Sequence, residues 1–321
     1  MILYKYTNIH YLHTTYNHIK NKLIYYIMIT HLAICGGGVK GCVLLGALEA
    51  LDKTIRFNRI THIIGSSVGG IIATLLCIGY RAYEMNDIFL KINLTEYRHI
   101  KAANIITKYG VDDCKSIITL LKACILQKIT VWDITFRELY NYNKMTLILT
   151  GSDISNSKII YYNIDTTPDM IIMDALRITI SYPILYEPVY DSINKSYVID
   201  GAVLAQYPID YFKHIDTKVG ICLNLYKNKR EINNIMTYIN ALIFSIIDNY
   251  IESSMVKYNK DTILIDIPDK IHALDFELDY YKKRSIRNIG YKTAIKYIKQ
   301  RVNKYYKKKL LLKCFNAIRY L

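Results

Sequence analysis

The chain repeats one pattern near its start: a short apolar segment, a glycine-rich turn, and a second apolar segment of helical character. The first copy covers residues 30–51 and the second covers residues 60–77. A short apolar run that ends in glycines is typical of a buried strand entering a tight turn. Strand, turn and helix repeated in this order predict an α/β fold with a mainly parallel central sheet and helices on its faces.

The remaining segments extend this prediction to one domain. Strands are expected at residues 146–150, 159–164, 197–199 and 219–223, and helices at residues 170–179, 231–258 and 290–314. Residues 82–128 have mixed helical character and are expected to form a lid or a helical insertion. We therefore expect a sheet of five or six strands in a single domain at residues 30–281, because no linker rich in Gly, Pro or Ser interrupts it.

The two ends differ from this domain. Residues 1–29 are polar and show no clear period, so we expect a poorly ordered N-terminal extension, with Met28 as an alternative start of the protein. The chain carries 42 basic and 27 acidic residues, and residues 282–321 hold 14 of the basic residues and none of the acidic ones. The charge therefore predicts a basic helical tail at residues 282–321, where an anionic partner would bind.

Apolar residues in this tail recur at helical spacing between lysines, as Ile295, Ile298 and Val302 show. This spacing is typical of a helix that lies on an anionic membrane surface, and equally of a helix that packs on the domain with a solvated basic face. Specific nucleic-acid binding is not expected, because no recognised reading motif accompanies the charges.

Neither a membrane span nor a secretory signal is expected. The apolar stretch at residues 23–34 is shorter than the roughly 20 residues that a spanning helix needs, and no small-residue cleavage site follows it. The seven cysteines are odd in number and widely spaced, which indicates reduced, buried thiols. We expect an intracellular protein, cytoplasmic or peripheral to a membrane, with no metal site and no cofactor.

The second glycine turn contains the pattern Gly65-x-Ser67-x-Gly69. Between a strand and a helix, this pattern forms a nucleophile elbow, because the sharp turn exposes the serine hydroxyl and only glycines fit around it. Ser66 is the neighbouring candidate, but it lacks the flanking glycines. The pattern therefore favours Ser67 as a nucleophile and Ser66 as a turn residue.

The first glycine turn, Gly36-Gly37-Gly38-Val39-Lys40-Gly41, has two interpretations. Its GxGxxG spacing matches a dinucleotide-binding turn, which needs an acid at the end of the next strand. That strand ends in glycine and serine instead. Unshielded amides at a helix start suit a developing oxyanion, so Gly36, Gly37 and Gly38 are the predicted oxyanion hole. Lys40 is interpreted as a loop-orienting residue, a contact to an anionic head group, or a plain solvated lysine.

The third motif is Asp200-Gly201-Ala202, which follows the apolar run at residues 197–199. It places a carboxylate at the end of a predicted strand, where small residues allow close approach. Taken alone it is typical of an ordinary Asp-Gly turn. Together with the serine and glycine motifs, it predicts Asp200 as the base that accepts the serine proton.

The ordered set GGGxKG, GxSxG and DGA resembles the patatin-like phospholipase family. The resemblance implies a three-layer α/β/α sandwich with a mainly parallel central sheet. It also implies a Ser-Asp dyad that hydrolyses acyl esters of lipids, commonly glycerophospholipids, without a metal. It makes Ser67 the nucleophile, Asp200 the general base and the first glycine turn the oxyanion hole. The supporting motif residues are Lys40, Gly41, Gly65, Gly69, Gly201 and Ala202. Lys40 departs from the arginine common in the family, and so keeps the charge but loses bidentate geometry.

Two other functions remain open from the sequence. A Ser-His-Asp α/β-hydrolase would use His214 or His272 together with the same serine and aspartate, although neither histidine lies in a motif. A protein of the same fold that binds lipid or membrane without catalysis would use only the basic tail. The three motifs favour the serine acyl hydrolase over both.

Overall fold

The computed structural model describes residues 29–54, 57–224, 230–267 and 275–318, with side chains up to residue 303. The predicted extension at residues 1–29 lies almost wholly outside this part, as does His272. The strands are β1 (His31–Ile34), β2 (His62–Gly65), β3 (Gly110–Asp112), β4 (Thr146–Asp153), β5 (Lys158–Tyr162), β6 (Ile184–Tyr186), β7 (Val189–Asp191), β8 (Ser196–Asp200), β9 (Lys218–Asn224) and β10 (Thr262–Asp266).

Ten α-helices connect and cover these strands, with short 3-10 turns between some of them. The helices are α1 (Gly41–Asp52), α2 (Val68–Cys77), α3 (Ala82–Lys91), α4 (Asn104–Lys108), α5 (Lys115–Leu126), α6 (Phe136–Asn143), α7 (Ile172–Thr179), α8 (Ala202–Ala205), α9 (Ile235–Tyr258) and α10 (Tyr280–Ile318). The count applies to the described ranges.

The central sheet has eight strands in the order β10-β9-β1-β2-β4-β8-β7, and β5 pairs with β4 on the side opposite β8. The first five strands of this order run parallel, whereas β8, β7 and β5 each pair antiparallel with a neighbour. Short strands β3 and β6 form a separate parallel pair. The predicted α/β fold with a mainly parallel central sheet is confirmed.

The central strands are buried on both faces, as the apolar runs predict. Leu32, Ile63 and Ile148 in β1, β2 and β4 have no exposed surface. Burial of a side chain of this size stabilises the fold by about 1.5–3 kcal/mol. Parallel strands need such two-sided cover, because their crossover connections lay helices on the faces of the sheet.

The predicted count of five or six strands is wrong, because the sheet gains a strand at each end. β7 is three residues long, which is too short to show a period. β10 does carry the alternation of a strand, with Ile263 and Ile265 fully buried, and it extends the parallel part of the sheet beyond β9. Strand β3, which pairs with β6, also interrupts residues 82–128, the segment that was expected to be mostly helical.

The basic tail begins inside a helix that packs on the domain. Helix α10 starts at Tyr280, ten residues before the predicted start, and lies against α1. Two glycines allow the close approach: a Cβ on Gly46 would lie 2.0 Å from the Arg287 carbonyl oxygen, and a Cβ on Gly290 would lie 2.0 Å from that of Val43.

Ile295, Ile298 and Val302, which we call the tail stripe, face the protein. Ile298 is buried, and Ile295 and Val302 pack against the core. These side chains hold the helix to the domain and are not free to enter a lipid surface. In the described ranges, no helix combines the length and the hydropathy that a membrane crossing requires. The six cysteines described with their side chains are buried and unpaired.

Candidate active site

The strand lengths bring Ser67 and Asp200 together. Gly65, the last residue of β2, pairs with Leu149 in the middle of β4, so β4 extends four residues beyond its neighbour. Strand β8 pairs antiparallel with this extension, and Asp200, at the end of β8, pairs with Gly151. A strand that runs against the parallel direction thus delivers its last residue to the carboxyl edge of the sheet, beside the turn that follows β2.

Ser67 occupies a strained turn between β2 and α2. Its backbone has φ 54° and ψ −129°, a conformation that costs a non-glycine residue about 1–3 kcal/mol. The flanking glycines are required by contact: a Cβ on Gly65 would lie 2.2 Å from the Gly69 carbonyl oxygen, and a Cβ on Gly69 would lie 2.4 Å from that of Cys35. The geometry is that of a nucleophile elbow.

The Ser67 hydroxyl donates a hydrogen bond of 2.6 Å to Asp200 Oδ2. The other carboxyl oxygen, Oδ1, accepts from the Ala202 N–H at 2.8 Å, which fixes the carboxyl group in the plane that serves the serine. A side chain at Gly201 would overlap Thr150, so the small-residue turn permits the approach of Asp200 to the sheet.

Asp200 has no exposed surface. Burial raises the pKa of its carboxyl group to about 7, while the hydrogen bonds from Ser67 and Ala202 act in the opposite direction. Desolvation disfavours the charged form, so a buried carboxylate is more basic than one in water. The site therefore holds a base whose pKa is close to neutral pH, beside a serine hydroxyl.

The first glycine turn lies against this pair. A Cβ on Gly36 would lie 3.2 Å from the Ser67 Cβ and 3.0 Å from the Ala202 Cβ. Gly36 is held by Gln206 on both sides: its N–H donates to the Gln206 carbonyl oxygen at 2.9 Å, and its carbonyl accepts from Gln206 Nε2 at 2.9 Å. The Gly36 amide is therefore occupied and does not fit the predicted role of oxyanion donor.

The backbone amides of Gly37 and Gly38 remain as candidate donors to an oxyanion. Neither the Gly37 N–H nor the Gly38 N–H has a hydrogen-bond acceptor among the described residues. Gly38 has φ 55° and starts the short 3-10 turn Gly38–Lys40 that leads into α1, so these amides belong to the positive end of a helical segment. Because the turn faces Ser67, the geometry suits an oxyanion better than a dinucleotide.

Lys40 is buried, with 4 % of its surface exposed, so the interpretation as a solvated lysine is wrong. Burial lowers the pKa of its ammonium group to about 8. Lys40 makes no ion pair with any residue in the described ranges. Its charge stays beside the glycine turn without a partner carboxylate.

A cavity of about 120 Å³ opens over the Ser67–Asp200 pair. Gly37, Gly38 and Gln206 line it at the level of the serine. Its further walls are mostly apolar and come from α2, α3, α5 and α9 as well as from the segment after α7; they include Ile71, Phe89, Ile117, Ile180, Phe244 and Ile247. An apolar cavity with a few polar groups at one end fits a substrate that has a hydrocarbon part.

Several residues that shape the site have no motif of their own. The Ser67 N–H donates to Thr179 Oγ1 at 3.2 Å, and Gln206 holds Gly36 as described. Ser66 is buried and accepts from Thr150 Oγ1 at 2.9 Å, which agrees with its interpretation as a turn residue. Contacts of this kind join positions far apart in the chain, so only a pattern of paired variation could indicate them in a sequence.

The histidine proposed for a triad does not approach the serine. His214 is exposed and precedes β9, whose first residue pairs with the first residue of β1, so it lies at the amino edge of the parallel strands. Ser67 lies at the carboxyl edge. The described residues also contain no group of three His, Cys, Asp or Glu side chains arranged to hold a metal ion.

Comparisons with known proteins indicate the family of the chain. Residues 32–213 match the model of the patatin-like phospholipase family. The uncharacterized protein R571 of Acanthamoeba polyphaga mimivirus is 30% identical over 290 residues, which cover 86% of this chain and 94% of that protein. The probable lipid hydrolase 463L of Invertebrate iridescent virus 6 is 31% identical over 208 residues, 62% of this chain and 66% of that protein.

Among solved structures, VipD from Legionella pneumophila superposes with a TM-score of 0.55 at 14% identity, covering 85% of this chain and 67% of VipD. At this identity the likeness concerns the fold alone. The family match spans more than half of the chain and includes the glycine turn, Ser67 and Asp200. The chain belongs to the patatin-like phospholipase family.

Proposed function

We propose that the protein is a serine acyl hydrolase that cleaves carboxylic ester bonds of lipids, with glycerophospholipids as the substrate class. The observation that carries this proposal is the 2.6 Å hydrogen bond from Ser67 Oγ to the buried Asp200, at the floor of an apolar cavity. The family membership and the name of the iridescent virus relative, a probable lipid hydrolase, support the same chemistry.

In the proposed reaction, Ser67 Oγ attacks the ester carbonyl carbon while Asp200 Oδ2 takes the hydroxyl proton. The carbonyl oxygen becomes an oxyanion, which the amides of Gly37 and Gly38 stabilise. The tetrahedral intermediate collapses to an acyl-enzyme and releases the alcohol, which takes the proton from Asp200. Water then attacks the acyl-enzyme by the same route and frees the fatty acid and Ser67.

Each group suits its step. An aspartate with an ordinary pKa near 4 is a weak base for a serine hydroxyl, and burial strengthens Asp200 by raising its pKa to about 7. Loss of one oxyanion donor typically reduces kcat by about 10²–10³-fold. The strained backbone at Ser67 keeps its hydroxyl directed into the cavity.

The tail is proposed to hold the enzyme on anionic membranes by charge. Lys292, Lys296 and Lys299 are exposed on α10, while the apolar side chains of that helix pack inward. Each basic residue near such a surface contributes about 1 kcal/mol. In vesicle sedimentation, we expect binding to anionic vesicles that added salt weakens, and that replacement of all three lysines by glutamine reduces severalfold. Binding that ignores anionic lipid content and salt would refute this contact.

The test of catalysis compares two neighbouring serines. Acyl release is measured from phospholipid vesicles and from a soluble ester. We expect Ser67→Ala to lose at least about 10³-fold in kcat for both substrates, since the nucleophile is removed. Ser66→Ala, which changes a buried serine of the same turn, should retain activity within about tenfold. Undiminished release by Ser67→Ala would exclude the proposed function.

A further inference from the structure

A second cavity, of about 320 Å³, adjoins the one over Ser67. The two share Tyr182, Leu185 and Phe276 in their walls. The outer walls of the second cavity come from the segment between α3 and β3 and from the first turns of α9. The two cavities are therefore neighbours, with these three side chains between them.

Arg98 gives the second cavity its charge. Among the described residues that line it, Arg98 is the one with a charged side chain, and none is acidic. The guanidinium group lies over the Phe276 ring, 4.6 Å from the ring centroid. Arg98 Nε is buried and has no hydrogen-bond acceptor within the described ranges. A buried N–H of a charged group without an acceptor is costly, which indicates that a ligand supplies the acceptor.

A second donor faces the same space. Asn240 lines the cavity, and its Oδ1 accepts from the Tyr182 hydroxyl at 3.2 Å. Its Nδ2 donates to no residue in the part of the chain that the structure describes. The described walls of the cavity therefore offer two donors, a guanidinium group and an amide N–H₂ group, and they contain no carboxylate that would compete with a ligand.

Two acidic residues of the neighbouring segments, Asp112 and Glu187, have other partners. Asp112 accepts from the backbone amides of His99 and Cys114, at 2.6 and 2.8 Å. Glu187 pairs with Lys108 at 3.4 Å and accepts from Asn104 at 3.0 Å. Neither carboxylate neutralises Arg98 in place of a ligand.

We propose that this cavity binds the phosphoryl group of the glycerophospholipid whose ester is cleaved at Ser67. Arg98 and Asn240 donate to the phosphoryl oxygens, and a planar guanidinium group matches two of them at once. Ile100, Ile105 and Met236 line the same cavity and suit the carbon atoms attached to the phosphate, which inorganic phosphate lacks. This inference rests on the proposed function, and it makes Arg98 the residue that selects phospholipids over neutral lipid esters.

The kinetic test compares two substrates with identical acyl chains, phosphatidylglycerol and diacylglycerol, in the same neutral detergent micelles. We expect Arg98→Gln to lower the ratio of their kcat/KM values ten- to hundredfold, and Arg98→Lys to lower it by a smaller factor. The control is Lys101→Gln, which removes an exposed charge from the same segment and should leave the ratio within twofold. An unchanged ratio in Arg98→Gln would overturn the proposal.

A binding test separates this inference from catalysis. Ser67→Ala protein is titrated with lysophosphatidic acid, monoacylglycerol and glycerol 3-phosphate below any micelle concentration. We expect lysophosphatidic acid to bind at least tenfold more tightly than either other ligand, and Arg98→Gln to remove that advantage. Equal binding of glycerol 3-phosphate would mean a site for free phosphate esters and would overturn the lipid assignment. Acyl release from neither substrate by the wild type would refute the proposed function, while the titration would still decide the role of Arg98.

Discussion

The two edges of the parallel sheet carry polar residues in opposite states. At the amino edge, His31 and His62 stack with ring centroids 4.4 Å apart, and each Nδ1 is hydrogen-bonded to a neighbouring threonine hydroxyl, at 2.8 and 2.9 Å. At the carboxyl edge, Ser67 has a strained backbone and Asp200 is buried with a raised pKa. The polar groups at the amino edge bond to one another within the protein. At the carboxyl edge, Ser67 and Asp200 line a cavity that a ligand can enter.

The difference between the two edges supports the proposed place of catalysis, at the carboxyl edge. Histidine is the usual base for a serine nucleophile, yet the stacked pair lies at the edge away from Ser67 and is engaged in packing against Phe212. The carboxyl edge contains the Ser67 hydroxyl, the buried Asp200 carboxyl group and two glycine amides that have no acceptor among the described residues. The proposed acyl transfer uses these three groups and no imidazole. We therefore assign the proposed function to the carboxyl edge and a stabilising role to the amino edge.

The largest expected effect in this comparison comes from Asp200→Asn. The variant keeps an acceptor for the Ala202 N–H but loses the base, and we expect kcat for acyl release to fall about 10³-fold or more. In the wild type, kcat/KM should rise with pH through about 7, because the base must be ionised and burial raises the pKa of Asp200. A pH series of initial rates from about pH 5 to pH 9 measures both.

The same substitution has an opposite effect on stability. Because the folded pKa of Asp200 lies above its unfolded value, the stability that it contributes is lost as pH rises from about 4 to 7. Asp200→Asn should therefore unfold at a higher temperature than the wild type at pH 8, and the two should converge near pH 4. Activity and stability that fall together at pH 8 would contradict the assignment of Asp200 as a buried base.

A smaller effect is expected from the glycine turn. In Gly36→Ala, the new methyl group would lie 2.8 Å from Gln206 Oε1 and 3.2 Å from the Ser67 Cβ, so the turn and the serine must separate. We expect kcat to fall about tenfold to a hundredfold, since a misplaced oxyanion donor loses most of its effect. Single-turnover acylation by a soluble ester measures the affected step.

Gly37→Ala serves as its matched control. Its φ of 171° lies outside the left-handed region, and the new methyl group would lie 2.6 Å from Cδ1 at the end of the buried Leu223 side chain, which must shift. The amide that donates to the oxyanion remains in place, so acylation should stay within about fivefold of the wild type. An equal loss in both variants would mean that the turn tolerates no side chain at all and that contact with Ser67 is not the cause.

The smallest effect on activity is expected at the amino edge. His31→Gln should leave kcat/KM within about twofold. Burial, then the charges of His62 and Lys218, lower the pKa of His31 to about 4, so the folded state resists protonation that the unfolded chain accepts near pH 6.5. The wild type should lose about 1 kcal/mol of stability between pH 7 and pH 5 through this residue. Urea denaturation at both pH values should show a smaller loss in His31→Gln.

The sequence predicts the layers of this fold better than the extent of its sheet. The two strand-turn-helix units are correctly predicted because Gly65 and Gly69 mark a turn that no other residue fits. The edge strand β7 is missed because three residues carry no period. The tail stripe is ambiguous in sequence, since inward packing on α1 and contact with lipid require the same apolar spacing.

In the site too, the sequence predicts the local features and misses those that depend on long-range contacts. The local motifs suffice to select Ser67 and Asp200 as candidate site residues, and their roles as nucleophile and base are still predictions. The sequence does not indicate that Asp200 arrives on an antiparallel strand, or that Gln206 occupies the Gly36 amide, because both depend on long-range pairing. Arg98 lies in no motif, and its missing acceptor is visible only in the fold.

The central claim is that Ser67 needs no histidine, and the double variant His214→Ala/His272→Ala tests it most directly. The measurement is the rate at which a fluorophosphonate labels Ser67, with the site identified by peptide mass, together with kcat/KM for a soluble ester. We expect the labelling rate and kcat/KM of the histidine double variant to stay within about threefold of the wild-type values. In Asp200→Asn, we expect Ser67 to be labelled at least a hundredfold more slowly. A hundredfold loss of labelling rate and kcat/KM in the histidine double variant, with Asp200→Asn still active, would mean that a histidine and not Asp200 activates Ser67.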